Sequence, residues 1–325
     1  MNIKKIGLSA LAGSLVAFSA NAGEMTVTGA AGLFMTTGNE TSKTTFSNSD
    51  HVNFDGSTEL DNGMTVSFSL QLDGDESDDG VIDNHSVTID TNGMGTIVFA
   101  GHGGTGVLDG WDDVTPNAYE EAWDGLTPTT AGTDEVINGF AANDSIGYTS
   151  PDFNGITFKA SLIPSNTSHN GGVYSDMGVK ISPEMVEGLT IYYAMGDEEA
   201  TAGTELNHST LGIKYAFGPV TVGVGQSYTS GSVSATGTHV GGNEVENLGI
   251  AFNVNDALSV SYQDLSNTRL NTSGNADVET EIDGIQLAYT MGGATLRISD
   301  VSVTNGGFTA NNSEDRTEIS LLMAF

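Results

Sequence analysis

From Met25 onward the chain repeats short stretches in which apolar and polar residues alternate, cut by Gly, Asn and Asp. In the first, Met25, Val27, Gly29, Ala31, Leu33 and Met35 share one parity, with Thr26, Thr28, Ala30, Gly32 and Phe34 on the other. A period of two places successive side chains on opposite faces, so the stretch reads as a strand with one apolar face. A polar loop is expected over Thr37 to Ser49. Val52, Phe54, Gly56, Thr58 and Leu60 then alternate with Asn53, Asp55, Ser57 and Glu59, and Asp61-Asn62-Gly63 signals a tight turn. Met64, Val66, Phe68, Leu70 and Leu72 return against Thr65, Ser67, Ser69 and Gln71. Further strands are expected near 83–91, 95–101, 143–150, 155–163, 175–181, 189–196, 207–217, 219–229, 244–254, 257–265, 279–290, 294–303 and 315–325, about 16 in all. Single-chain bacterial barrels need such an even number. All six prolines (Pro116, Pro128, Pro151, Pro164, Pro183, Pro219) fall in loops, turns or strand ends, where a missing N–H breaks no ladder.

The alternation stops between His102 and Ala142, for about 40 residues. A structureless loop inside a domain rarely exceeds ~12–15 residues without a functional reason or disorder. Both tryptophans, Trp111 and Trp123, lie there, with Asp109, Asp112, Asp113, Glu120, Glu121, Asp124, Asp134 and Glu135 and no Lys or Arg.

Alternation also suits a soluble sandwich or a solenoid. Strand length, loop asymmetry and charge placement favour a membrane barrel. Strands of ~9–11 residues are what a tilted strand needs to cross a bilayer, and short turns alternate with long polar loops, as in a barrel with two unlike mouths. Lys159, Lys180, Lys214, Arg297 and Arg316 lie opposite the apolar parity of their strands, as do Asp55 and Glu59. A lipid-facing Arg or Lys costs roughly 2–4 kcal/mol at mid-membrane, which assigns these residues to the lumen wall. Only barrels of about eight strands fill with side chains, so a polar interior at this size implies water.

Lys4 and Lys5, the apolar run Ile6 to Phe18 and Ala20-Asn21-Ala22 have the form of a cleaved export signal, residues 1–22, leaving 23–325 as a single barrel domain. The net charge of −33 becomes −35 once the two leader lysines are removed. Nucleic acid is excluded as a partner, because phosphate binding needs clustered Lys and Arg. With no cysteine, no disulfide frame holds the fold.

The stretch Val52 to Leu60 with its Asn62-Gly63 turn, and Gly95 to Gly101 leading into the long loop, resemble the general diffusion porins of Gram-negative outer membranes, particularly the alphaproteobacterial kind. Asn143 to Pro151 looks like that family's strand re-entering after the loop, and Phe325 like its C-terminal aromatic. The resemblance implies a trimer of 16-stranded barrels, each with its third loop folded inward. It also implies contact with outer-membrane lipids and lipopolysaccharide, assembly by the barrel machinery reading Phe325, and passage of ions and small hydrophilic solutes. That family sets a cluster of arginines on the early wall against the loop's acids. Here the strands between Val52 and Gly101 hold no Lys or Arg.

The loop carboxylates Asp109, Asp112, Asp113, Glu120, Glu121 and Asp124 are the expected constriction groups, since rings of Asp and Glu favour cations. No cofactor is required. Calcium is a candidate ligand of Asp75, Ser77, Asp79 and Asp83, which follow the first half of a calcium loop, although Ser86 stands where its bidentate Glu would be. Gly101 to Gly106 matches G-x-G-x-x-G without the following helix that a dinucleotide site needs. The six histidines show no H-E-x-x-H spacing, and there is no G-x-S-x-G elbow, so no enzyme chemistry is expected. Phe158, Tyr192, Tyr215, Phe217, Tyr262, Tyr289 and Phe325 are candidates for interfacial girdles. The expectation is thus an all-β transmembrane antiparallel barrel, a passive, cation-preferring trimeric channel of the outer membrane. The alternative is an exported acidic calcium-binding adhesin or surface β protein without a pore.

Overall fold

The alternation resolves into sixteen antiparallel strands: β1 (Met25–Gly38), β2 (Thr45–Glu59), β3 (Thr65–Asp73), β4 (Ile82–Asp90), β5 (Thr96–His102), β6 (Ser145–Thr149), β7 (Ile156–Ile163), β8 (Tyr174–Ile181), β9 (Leu189–Glu199), β10 (Glu205–Phe217), β11 (Val220–Ser230), β12 (Val240–Asn255), β13 (Leu258–Asn271), β14 (Val278–Met291), β15 (Ala294–Thr304) and β16 (Ser313–Ala324). The computed structural model describes residues 25–38, 44–74, 82–111, 114–123, 126, 144–164, 173–199, 205–230, 240–271 and 276–325. The expected leader, residues 1–22, lies outside them. Each strand pairs with its neighbours in sequence, and β1 also pairs with β16, so the sheet closes into a barrel. Closure leaves no strand edge, which is what a hydrocarbon environment demands, because no water is there to satisfy a free backbone group. The seam is extended to the last residue: the Phe325 N–H donates to the Gly29 carbonyl at 2.8 Å, and the Gly29 N–H donates to the Phe325 carbonyl at 3.2 Å.

Short turns join strands at one end of the barrel and longer loops at the other. The turn between β4 and β5 shows why its residues were chosen. Asn92 and Gly93 both take positive φ, 56° and 103°, and the Asn92 N–H donates to Asp90 Oδ1 at 2.9 Å. Asn and Gly accept that backbone at least penalty.

Outward residues of the turn-side half are apolar and exposed, among them Val52, Phe68, Phe99, Ile146, Leu211 and Ile250. Near the turn end Tyr148, Phe158, Tyr215, Phe217 and Tyr289 are exposed on the same parity, as an interfacial girdle would be. Tyr192 departs from the expected girdle. It is paired with Lys180 and Gly212 on the inner parity and packs against Trp111 inside the barrel, because its strand's outer parity is taken by Ile191 and Tyr193.

Two further differences share one cause. β2 starts at Thr45, inside the stretch expected as loop, and β13 runs to Asn271 rather than 265. At the loop end of β13 to β15 the faces also exchange character: Leu265, Ile282, Val301 and Val303 point inward and are buried, while Asp264, Glu281, Asp283 and Asp300 are exposed on the outside. β12, β13 and β14 have 16, 14 and 14 residues, more than the ~9–11 that cross a bilayer. Their loop-side lengths therefore lie above the hydrocarbon and follow the rule of a water-soluble sheet.

The assignment of faces predicts that Ile250→Arg, on the outer wall, lowers folding stability in lipid by roughly 2–4 kcal/mol, whereas Ala251→Arg, on the lumen parity, changes it little. Urea unfolding in vesicles measures both; equal losses would mean that the two faces are misassigned.

Candidate pore constriction

The segment after β5 turns into the barrel and runs along its inner wall. Its path is set by glycines on the lumen parity of successive strands. A side chain at Gly147 of β6 would meet Thr105 Cβ at 2.8 Å, and one at Gly212 of β10 would meet Val114 Cγ2 at 2.8 Å. At Gly178 of β8 it would strike the Trp111 ring, and at Gly223 of β11 the Pro116 ring at 2.5 Å. At Gly249 of β12 it would meet the Pro116 carbonyl oxygen at 2.7 Å, and at Gly284 of β14 the Ala122 Cβ at 2.6 Å. Missing side chains thus form a groove near the middle of these strands that receives the loop.

Hydrogen bonds fix the loop in that groove. Asp176 of β8, 3% exposed, accepts from the Val107 N–H at 2.7 Å, the Leu108 N–H at 2.9 Å and the Tyr174 hydroxyl at 2.9 Å, all on Oδ2. Gln263 of β13, 1% exposed, accepts from the Ala122 N–H at 2.7 Å and donates to Thr115 Oγ1 at 3.1 Å. Between them Ser261 Oγ accepts the Ala118 N–H at 2.9 Å. A buried group that loses such a partner carries a penalty of about 1–3 kcal/mol, so these two wall residues hold the loop firmly. Two apolar clusters complete the seat. Val107, Leu108 and Trp111 pack on Ile163, Tyr174 and Ala194. Ala122, Trp123 and Leu126 pack on Val245, Leu265, Ile282, Val301 and Val303. The inward turn of those last four side chains is explained by this second cluster. Both tryptophans are thereby wall anchors.

Between the described loop and β1, β2 and β14 to β16 lies a cavity of about 630 Å³, the candidate opening. Tyr119, Glu120 and Glu121 line it from the loop, Phe34, Thr36, Ser47 and Ser49 from β1 and β2, and Arg297, Ser299, Arg316 and Glu318 from β15 and β16. The early-strand residues that line it are neutral, and the cations of its lining come from the last two strands. Arg316 pairs with Glu318 at 2.6 Å. The Arg297 guanidinium lies 4.7 Å from the centre of the Tyr119 ring, a cation–π contact. Burial pushes the Tyr119 phenol above its ordinary value, so it stays neutral beneath that charge.

Of the residues expected at the constriction, Glu120 and Glu121 line the opening, and Asn117 Nδ2 donates to Glu121 Oε1 at 2.8 Å. Asp109 is exposed on the loop and does not line it. Asp112, Asp113 and Asp124 lie outside the described residues. Asp55 and Glu59 share the lumen parity of β2 with Ser47 and Ser49. Lys159, Lys180 and Lys214 stand on the lumen parity of β7, β8 and β10, away from the opening. Of the calcium candidates, Asp75, Ser77 and Asp79 lie outside the described residues, as does the side chain of Asp83. Asp176, Gln263, Tyr119 and Glu318 were not singled out from sequence. The inward-parity glycines were a signal that could have located the loop's track.

A closed sixteen-stranded barrel with apolar outer wall, polar inner wall and an inward loop is the architecture of a porin-type channel. The chain belongs to the Gram-negative porin family, which matches residues 7–321, and its place is the outer membrane. Its fold is similar to Salmonella typhi OmpF in complex with daunomycin, with TM-score 0.72 and 14% identity over 94% of this chain and 99% of that one. It is similar also to an anion-selective porin from Comamonas acidovorans, with TM-score 0.69 and 14% identity over 93% and 99%. OmpT of Vibrio cholerae in its trimer form gives TM-score 0.70 and 15% identity over 94% and 100%. At such identities the likeness is one of fold. No curated protein sequence matches the chain significantly.

Replacing Asp176 by Ala should free the first loop segment while leaving the barrel closed. The expected outcome is a larger and noisier single-channel current with faster proteolysis of the loop; an unchanged current trace would show that Asp176 does not hold it.

Proposed function

We propose that the protein is a passive diffusion channel for ions and small hydrophilic solutes, narrowed by the loop over 102–142 and preferring cations. The observation that carries this reading is the charge around the opening. Glu120 and Glu121 face it from the loop, Glu318 offsets Arg316, and Arg297 is the remaining cation among the described lining residues. A narrow, water-filled passage between low-dielectric walls focuses such an imbalance and raises the local concentration of cations. The acidic chain, at net −33, acts in the same direction at longer range. Asp109, Asp112, Asp113 and Asp124 belong to the same proposed acidic loop. The channel moves solute without altering it, so the reading excludes an enzyme.

A homotrimer is part of this reading, supported by the trimer form of the similarly folded Vibrio OmpT. So is Phe325 as the assembly signal: it is 79% exposed at the end of the closing strand, open to recognition by an assembly factor.

Reconstitution in planar bilayers under a KCl gradient tests the function. A cation-selective reversal potential is expected, and Glu120→Gln with Glu121→Gln should lower the cation-to-anion ratio roughly two-fold, about 0.4 kcal/mol, as for a water-screened charge. Absence of current, or an anion-selective potential, would overturn the reading. Gel mobility before and after boiling checks assembly, with a slow band expected to collapse on heating.

A further inference from the structure

The chain has nine basic residues against 42 acidic ones, and the fold gathers three of the nine on one sector of the inner wall. Lys159 of β7 pairs with Gly178, and Lys180 lies two residues further along the same strand β8. Such diagonal neighbours are about 7–8 Å apart on one face. Lys180 pairs in turn with Tyr192 of β9, whose partner on β10 is Gly212, two residues before Lys214. The three lysines therefore surround Tyr192 and Gly178. All three lie toward the turn ends of their strands, on the turn side of the loop's first segment.

The floor of this patch is aromatic. Trp111, held in the gap at Gly178, and Tyr192 have ring centres 5.6 Å apart. Lys159 Nζ lies 5.5 Å from the Trp111 ring centre, and Lys214 Nζ lies 5.8 Å from that of Tyr192. The rings hold both ammonium groups in place through their negative faces, but they accept none of the strong hydrogen bonds that an ammonium can donate. None of the three lysines forms an ion pair among the described residues. The lumen-facing acids Asp55 and Glu59 stand on β2, in another sector of the wall. Asp176, the diagonal neighbour of Lys159 on the side of Gly178 opposite Lys180, gives its Oδ2 to the Val107 and Leu108 N–H groups and the Tyr174 hydroxyl. Three like charges on neighbouring strands repel one another, and half-burial against a low-dielectric floor strengthens that repulsion. In a chain so poor in cations, three lysines gathered over two aromatic rings form a concentrated positive field that a small anion can enter.

We propose that Lys159, Lys180 and Lys214, over Trp111 and Tyr192, form a binding site for small multivalent anions bearing phosphate or carboxylate groups. The proposal rests on the reading of the chain as an open channel. It adds a holding site on the turn side of the constriction, where a solute carrying negative charge pauses beside a passage that otherwise favours cations. Ammonium groups suit this role as point-charge donors, with several directions available to each.

The test is single-channel recording in KCl with inorganic phosphate or citrate added from the turn-end side. Either anion should lower the open-channel current of the wild type in a saturable way. The K159Q/K180Q/K214Q variant should need at least roughly tenfold more anion for the same effect, since its charge-assisted hydrogen bonds are removed. It should also become more cation-selective. K159R/K180R/K214R, which keeps the charges, should retain the block, and heat-shifted gel mobility reports that each variant is folded. A wild type indifferent to both anions, or a glutamine variant that responds like the wild type, overturns the site. Absence of any current in KCl alone would instead overturn the channel reading. A response to phosphate but not citrate, or the reverse, supports the site and identifies the anion class it takes.

Discussion

Every backbone N–H and carbonyl that crosses the membrane must find its partner within the protein, and the ladder between β1 and β16 is what makes this attainable for all sixteen strands. Without it, Gly29 to Gly38 and the last strand would each present an open edge to hydrocarbon. The reciprocal hydrogen bonds of Phe325 with Gly29 carry the seam to the final residue. Once the sheet is closed, period two acquires a fixed meaning, since one parity faces lipid and the other faces water in the lumen. The placement of nearly every charged side chain on the turn-side half of the wall follows from that division.

The interior then poses a second problem, because the described residues of the long segment after β5, up to Leu126, have to be held inside it. The solution resembles the packing of a small soluble core against the inner wall. Glycines remove side chains along the path, Asp176 and Gln263 accept the loop's backbone N–H groups, and Trp111 and Trp123 bury their rings against strands. Because the described part of the loop follows the wall from β6 to β15, the cavity beside it lies against β1, β2 and the last strands. Its cations are therefore Arg297 and Arg316, and the early wall contributes Ser47, Ser49 and Thr36.

Much of the barrel could be read before it was seen. The strands bounded by Asn62-Gly63 and Asn92-Gly93, and the inward parity of Lys159, Lys180, Lys214, Arg297 and Arg316, depend on local patterns that survive in any context. Where the pattern misled, the surroundings had changed. Thr45 to Ser49 reads as loop because Phe46 is its one apolar residue, yet it pairs with β1. Leu265, Ile282, Val301 and Val303 lie inward because Trp123 and Leu126 cover them, and the acids beside them face outward because no lipid is there. Tyr192 is a girdle candidate by sequence, since an aromatic in a strand carries no mark of which face it will serve.

The sequence by itself determined the number of strands, the turns and the alternation of faces, because these follow from backbone geometry and the cost of placing charge in lipid. It also marked the long segment that would have to be accommodated. Only the tertiary structure decided where that segment lies, which carboxylates reach the opening and which cations they meet. Those outcomes depend on contacts between residues more than 140 positions apart, such as Ala122 with Gln263 and Ala118 with Ser261. No local pattern records such a contact; it exists only once closure has brought the inner faces of distant strands around the loop.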